Sequence, residues 1–277
     1  MHKLRKALLI IVAILLAAVM LLPLVWMIST SLKNDFEALA GQMNFIPKKP
    51  TIDNYIQGLN GELMNVPIMR WITNSLSIGI IGTGIILLID SMAAYALARL
   101  QDMMFRKILF SMFIASLMIP GVLTFLPMYM EFNGLGLINT YAALILPYTA
   151  GAFGVFLLYQ FFISFPKEIE EAARIDGANK WQIYSRVVLP SSVSIMVTLG
   201  IFTFMGIYND FVWPLYAATS PDMRTITAGI ALMSQGSYTQ AYGKLMAMTT
   251  IAALPVLIIF MIGQRFFVKA IIQSAVK

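Results

Sequence analysis

The stretch Glu171-Ala172-Ala173-Arg174-Ile175-Asp176-Gly177, followed after nine residues by Val187-Val188-Leu189-Pro190, lies between two long apolar runs. Its charged residues would be costly inside lipid, so we predict that this stretch leaves the membrane. It carries a small apolar side beside its charges, and we therefore expect it to contact another protein.

The composition around this stretch is that of a membrane protein. Hydrophobic residues make up 59% of the 277 residues and charged residues only 12%, whereas about a quarter of a soluble domain is charged. The chain has no cysteine, which excludes disulfides, thiol nucleophiles and cysteine-bound zinc. We predict a polytopic membrane protein.

The first apolar run separates two interpretations of the N-terminus. Residues 7–28 contain no ionisable group, which is enough to cross a hydrocarbon core that needs about 20 helical residues. A cleaved signal peptide is the alternative, because the preceding residues are basic, but its apolar region is usually about 7 to 15 residues long. The length favours a retained anchor.

Six apolar runs are long enough to be spans. Each is near 20 residues and continuous, which predicts helices and not alternating barrel strands. The fold class expected is an all-α, polytopic protein formed by one transmembrane domain over residues 1–277. The predicted spans are 7–29, 72–98, 107–130, 141–163, 191–213 and 246–268.

The basic residues indicate which side of the membrane each connection occupies. Six spans place both termini on one side, and 13 of the 19 Lys and Arg fall on that side. Basic connections face the cytoplasm. The termini and the loop 164–190 are therefore predicted to be cytoplasmic, and the longest connection on the other side is 29–70.

The cytoplasmic loop has the signals of a helix, a sharp turn and a second helix. Pro166 suits the start of a helix, and Gly177 suits a left-handed C-terminal cap. Asn179 with Gln182 three residues later predicts the cap of the second helix. Pro190 is predicted to mark the break before the next span. In the first helix, Ile169, Ala172 and Ala173 share one side, which predicts docking into a partner's groove.

The loop also resembles the EAA loop of the membrane subunits of bacterial ABC importers. That pattern is Glu-Ala-Ala, three residues, Gly, nine residues, a branched aliphatic residue, any residue, Leu and Pro, and every position is matched here. Further stretches resemble the carbohydrate-importer permeases, of the maltose-permease type. These are Asn54-Tyr55, Asn74-Ser75-Leu76, Ala93 to Arg99, Asn209 to Leu215 and Arg265 to Lys269.

This resemblance implies a type I ABC importer transmembrane domain with a defined set of partners. They are an ABC ATPase dimer on the cytoplasmic side, a second and non-identical permease subunit, an extracytoplasmic solute-binding protein, a carbohydrate substrate and membrane lipid. The resemblance also assigns ATPase coupling to loop residues of this chain, and suggests that the tail 273–277 reaches the ATPase. The coupling residues implied are Glu171, Ala172, Ala173, Asp176, Gly177 and Ala178.

The chain lacks the motifs of an enzyme or a nucleotide-binding protein. It has one histidine, at position 2, and no HExxH, GxSxG or G-x-x-x-x-G-K-[ST] pattern, so neither catalysis nor nucleotide binding has the residues it needs. We expect no catalytic residue, no metal site, no cofactor bound by this chain and no nucleic-acid partner. ATP and Mg would be bound by the partner ATPase.

Asp90 is the one acid that lies more than five residues from either end of a predicted span. A carboxylate in the membrane is costly, so it either lines a polar pathway or makes a structural hydrogen bond. Because it is the only such acid, an ion-coupled secondary transporter is a weaker alternative to the importer. Within the importer interpretation, a polyol or glycerol phosphate remains an alternative substrate.

Aromatic residues near the predicted span ends also allow two interpretations. Trp71 and Trp213 are examples. Such residues can stack on sugar rings, but tryptophan and tyrosine are also enriched where a membrane meets water. We expect the second explanation for both.

Overall fold

The structure is a computed structural model that describes residues 2–40, 44–60, 66–99, 104–235 and 241–275. Every regular element in these ranges is helical. The α-helices are α1 (His2–Ser31), α2 (Asp35–Leu39), α3 (Asp53–Leu59), α4 (Ile68–Arg99), α5 (Arg106–Ser116), α6 (Gly121–Gly134), α7 (Tyr141–Ile145), α8 (Ala152–Ser164), α9 (Lys167–Ile175), α10 (Lys180–Ile183), α11 (Leu189–Ser191), α12 (Val193–Asn209), α13 (Val212–Ala217), α14 (Ile226–Met233) and α15 (Tyr242–Ala275).

The long apolar helices confirm the polytopic all-α prediction. By length and composition, three helical stretches can each cross a membrane alone: Leu4–Ser31, Ile68–Arg99 and Tyr242–Gln264. Three pairs of helices meet the same criteria together but are bent, by 98° between α5 and α6, by 40° around α7 and α8, and by 76° between the segment Lys180–Ser191 and α12. The predicted count of six spans corresponds to each bent pair crossing once.

The bend before α12 lies at a different residue from the one predicted. Pro190 is inside α11 and the break comes two residues later, at Ser192. Proline is tolerated near the start of a helical segment because its missing N–H is not needed there. A π-helical segment, Tyr184–Val188, precedes α11, and the backbone N–H of Leu189 bonds to the Tyr184 carbonyl five residues back. The predicted break before α12 is present, and it follows Pro190 by two residues.

The chain divides into two compact units, which we describe separately. The first unit contains Met1–Ile72 and Ile226–Pro255. In it, the short apolar helix α14 covers Ile226–Met233. A Cβ atom on Gly229 of α14 would overlap the ring of Trp71, so only glycine allows α14 to lie this close to the indole.

The second unit contains Thr73–Thr225 and Val256–Lys277. One apolar cluster in it joins the C-terminal part of α4 to α8 and to the π-helical segment, through Ala94, Leu158 and Val188 among others. Trp213 belongs to a second cluster and its Nε1 donates a hydrogen bond of 2.7 Å to the Ala143 carbonyl.

The tryptophans named from the sequence are core residues. Both Trp71 and Trp213 are buried within their own units, so their rings face protein; their position relative to the membrane–water boundary stays a prediction. Their large apolar rings are used for packing between helices, and the indole N–H of Trp213 has its partner inside the protein.

Candidate functional site

The loop that follows α8 begins with the predicted helix. Pro166 immediately precedes α9, and Glu168 and Glu170 lie in its first turn. Proline fixes a backbone angle that suits a helix start, and acidic side chains there interact favourably with the helix dipole. The sequence therefore determines where α9 begins.

The turn after α9 depends on Gly177. Its φ angle is +85°, a left-handed conformation that glycine adopts without a steric penalty. The Gly177 N–H donates to the Arg174 carbonyl at 3.1 Å, and the Ala178 N–H donates to the Ala173 carbonyl at 3.0 Å. These two bonds are those of a Schellman motif, which satisfies carbonyls at the end of a helix. The predicted role of Gly177 is confirmed.

The second helix begins with the predicted cap. The Asn179 side chain accepts from the Gln182 N–H at 2.9 Å, and the Gln182 side chain accepts from the Asn179 N–H at 2.8 Å. This reciprocal arrangement is a capping box. Both ends of the turn are therefore satisfied by local hydrogen bonds, which fixes the angle between α9 and α10.

One side of α9 faces the interior of the second unit. Ala173 and Ala178 are half-buried and pack against the apolar cluster between α4 and α8. Glu170 forms an ion pair with Arg99, at 2.7 Å between Oε1 and Nε. We call these residues, Glu170, Ala173 and Ala178, the inner face of the loop.

The opposite side is exposed. Glu171, Ala172, Asp176 and Gly177 are exposed, and Ile175 is 87% exposed. We call these residues the outer face. Ile175 thus places a large aliphatic side chain at the surface of an otherwise polar and small-residue face.

The sequence-based docking side differs from the structure in two residues. Ala173 was predicted to face a partner but faces inward, and Ile175 was not predicted but is the most exposed apolar residue of the outer face. Ile175 is three residues after Ala172, and residues three apart lie on the same side of a helix. Ala173 is adjacent to Ala172 and therefore points in a different direction. That spacing was the signal available in the sequence.

A cavity of about 790 Å³ lies beside the loop. Its lining includes the basic side chains of Arg106, Lys167 and Arg174 as well as the acids Glu170 and Glu171. The full lining is Tyr95, Ala98, Arg99, Arg106, Ile163, Lys167, Glu170, Glu171, Arg174, Ala178, Asn179 and Lys180. This lining is mainly polar, unlike the mostly apolar walls typical of small-molecule pockets.

Asp90 lies away from this cavity. Asp90 is 2% exposed. A Cβ atom on Gly154 of α8 would overlap its carboxylate. Among the described residues its Oδ2 atom has no hydrogen-bond partner. The glycine therefore provides the space that the carboxylate occupies between α4 and α8, and the role of Asp90 in a substrate pathway stays a prediction.

In the described ranges, no group of three or more His, Asp or Glu side chains is placed to hold a metal ion. The predicted contact of the tail 273–277 with the ATPase includes residues 276 and 277, which lie outside the described residues.

Comparison with known proteins gives a family match over most of the chain. Residues 90–273 match the family described as binding-protein-dependent transport system inner membrane component. This range contains both the α9–α10 loop and the ion pair that holds it.

Individual relatives match over nearly their whole length. The chain is 30% identical to the lactose transport system permease protein LacG of Rhizobium radiobacter, covering 94% of this chain and 92% of that one. It is 31% identical to the trehalose/maltose transport system permease protein MalG of Thermococcus litoralis, covering 99% and 98%. It also shares its fold with a chain of a bacterial ABC transporter that imports the acidic polysaccharide alginate. That match has a TM-score of 0.83 and 18% identity, and covers 96% of this chain and 97% of that one.

Proposed function

The chain belongs to the family of binding-protein-dependent transport system inner membrane components, and from that premise we propose that it is one permease subunit of an ATP-driven importer of a sugar or oligosaccharide. Residues 1–277 then act as one transmembrane domain that lines half of the translocation path, with a second, non-identical permease subunit lining the other half. A solute-binding protein delivers the substrate from outside the cell.

The observation that carries this proposal is the two-faced loop. Its inner face is held against α4 by the Arg99–Glu170 ion pair, while its outer face exposes Ile175 and the small residues Ala172 and Gly177. A helix with a small apolar side is suited to a groove on a partner protein. We assign the groove to the ATPase, which binds ATP and Mg²⁺, and the outer-face residues to docking.

The proposed orientation follows from charge. Basic residues around this loop and at both termini favour a cytoplasmic position, where an ATPase has access to ATP. The proposed carbohydrate class is supported by relatives named for lactose and for trehalose/maltose transport. A polyol or glycerol phosphate importer of the same architecture is the alternative.

The test is purification of the tagged chain from its native membrane in mild detergent, followed by mass spectrometry of the proteins that accompany it. The informative variant is Gly177→Asp. A side chain at this positive φ strains the turn and a charge enters the outer face. We expect the unmodified chain to recover an ABC ATPase and a second permease, and the variant to lose the ATPase.

Gly136→Asp is the matched control. Gly136 also has a positive φ, of +67°, and a Cβ atom there would meet nothing within 4 Å, so the strain and the added charge are similar while the loop is unchanged. We expect this variant to retain the ATPase. A chain that purifies alone and still supports uptake driven by an ion gradient would contradict the proposal and favour a secondary transporter.

A further inference from the structure

Arg99 and Glu170 form a buried ion pair where the membrane helix α4 meets the loop. The atoms Nε and Oε1 are 2.7 Å apart, and the two side chains are 7% and 6% exposed. Arg99 is the last residue of α4 and Glu170 lies in the first turn of α9. The pair therefore connects two residues that are 71 positions apart in sequence.

The same guanidinium contacts a third element. Its Nη2 atom donates a hydrogen bond of 2.5 Å to the carbonyl of Phe165, the residue that follows α8. Arginine can hold two acceptors at once because its N–H donors lie in a rigid planar fork, whereas lysine presents a single flexible ammonium. Arg99 thus fixes the end of α8 and the start of α9 against the end of α4.

The second half of the loop also contacts α4, on the same side. The Ser91 hydroxyl is 2.8 Å from the Tyr184 hydroxyl, and the rings of Tyr95 and Tyr184 have centroids 5.2 Å apart. Residues four apart lie on one side of a helix. We call Ser91, Tyr95 and Arg99 the α4 stripe.

All three residues of the α4 stripe contact the loop. Two of them meet the π-helical segment, and the third meets α9. α4 therefore contacts the loop both before and after the turn at Gly177. If the loop contacted α4 at one point only, it could rotate about that point. Two separated contacts restrict both the rotation and the sliding of the loop relative to α4.

The ionic part of this arrangement needs an explanation beyond stability. A buried ion pair is weak evidence for stability, because removing two charges from water costs about as much as their attraction returns. Apolar side chains of similar size would pack here without that cost. What an ion pair with a second acceptor adds is a fixed register, since the contact weakens as soon as the groups slide apart.

We propose that the α4 stripe, through Arg99 and Glu170, links the loop rigidly to α4, so that α4 moves as one body with the loop when the ATPase moves it. Arg99 and Glu170 are positioning residues in this scheme. The inference rests on the proposed function, since it needs an ATPase bound at the outer face. It locates the transmission of that movement at one named contact.

The experiment measures a distance within the purified complex in lipid nanodiscs. The chain has no cysteine, so cysteines introduced at Met92 of α4 and Lys167 of α9 take two spin labels that report the distance between the helices. Met92 is 42% exposed and Lys167 is exposed. The distance is measured without nucleotide and after trapping with ATP and vanadate, and the solute-binding protein's stimulation of ATP hydrolysis is measured in parallel.

In the parent chain we expect the same distance in both states. The variant Arg99→Met/Glu170→Met replaces the pair by apolar groups, which keeps the fold because no charge is left buried alone. We expect it to retain the ATPase, to show a different or broader distance after trapping, and to lose stimulation by about tenfold, within the range usual for coupling between sites. Arg99→Lys should give an intermediate loss and provides the test if the double variant does not fold.

The control removes the same two charge types without a buried pair. Arg106→Met/Glu168→Met takes one base from the start of α5 and one exposed acid from α9, and should leave distance and stimulation at the parent values. Two results would overturn the inference: a parent distance that changes on trapping, or an Arg99→Met/Glu170→Met complex identical to the parent. Failure of the proposed function appears earlier, as an unmodified chain that purifies without an ATPase.

Discussion

Glu170 and Glu171 are neighbours in α9 but lie in opposite environments. Glu170 is buried against Arg99, whereas Glu171 is exposed on the outer face. Successive residues of an α-helix point about 100° apart, so one short helix can have one side fixed to the membrane helices and the other open to a partner. The loop therefore has one face fixed by the protein's own helices and another that, under the proposed function, is available for docking.

The largest expected effect comes from removing the charge on the inner face. Glu170→Leu leaves Arg99 as a buried charge without its carboxylate, which should lower the free energy of unfolding by about 3 to 5 kcal/mol. Glu171→Leu should change it by less than about 0.5 kcal/mol, as for most exposed positions. Thermal unfolding of the two variants in detergent measures the difference, and equal losses would show that the two faces are not distinct.

The close packing of α4 against other helices extends beyond the loop, to the contact between Asp90 and Gly154 of α8. Gly154→Ala places a Cβ atom where the Asp90 carboxylate lies, and overpacking of this kind costs about 1 to 3 kcal/mol. Gly84→Ala is the matched change in α4, because a Cβ there meets nothing within 4 Å. It should be neutral or slightly stabilising, since alanine is the better helix former. A stable Gly154→Ala protein would show that the contact at Asp90 adjusts easily.

The outer face can be tested without disturbing the inner one. Ile175→Ser removes the most exposed aliphatic side chain of the loop and should leave thermal unfolding unchanged. Retention of the ATPase during purification should weaken by about 1.5 kcal/mol, the value of burying one such side chain against a partner. The dissociation constant of the detergent-purified complex measures this, and an unchanged value would remove Ile175 from the docking surface.

The smallest effect concerns the turn that joins the two faces. Asn179→Ala removes one hydrogen bond of the capping box, which should cost about 1 kcal/mol of stability. Asn179→Asp keeps an acceptor at this position and should retain most of that contribution. Unfolding midpoints that are the same for both variants would show that the Schellman motif at Gly177 holds the turn without help.

Local signals in the sequence predicted the loop well. Pro166, Gly177 and the pair Asn179 and Gln182 each act through backbone groups within a few residues, so their effect can be derived from spacing alone. The structure confirms the helix, the turn and the second helix at those positions. The break predicted at Pro190 comes two residues later, because the helix continues through a π-helical segment whose hydrogen bonds differ from the usual pattern.

Contacts between distant residues were not predictable in this way. The sequence predicted Ala173 and not Ile175 as a docking residue, and only packing against the cluster between α4 and α8 shows that Ala173 faces inward. Arg99 reads as an ordinary basic residue at the cytoplasmic end of a span. Its two partners, Glu170 and the Phe165 carbonyl, become visible only when α4, α8 and α9 are placed together.

The sequence by itself determined that this is a polytopic helical membrane protein with a structured polar loop after α8. Apolar length, charge placement and capping residues act locally, so each can be evaluated along the chain. The tertiary structure alone decided which side of that loop is fixed and which is free, and where the spans bend. Those outcomes depend on which side chains meet across helices far apart in sequence, and no local pattern specifies such pairs.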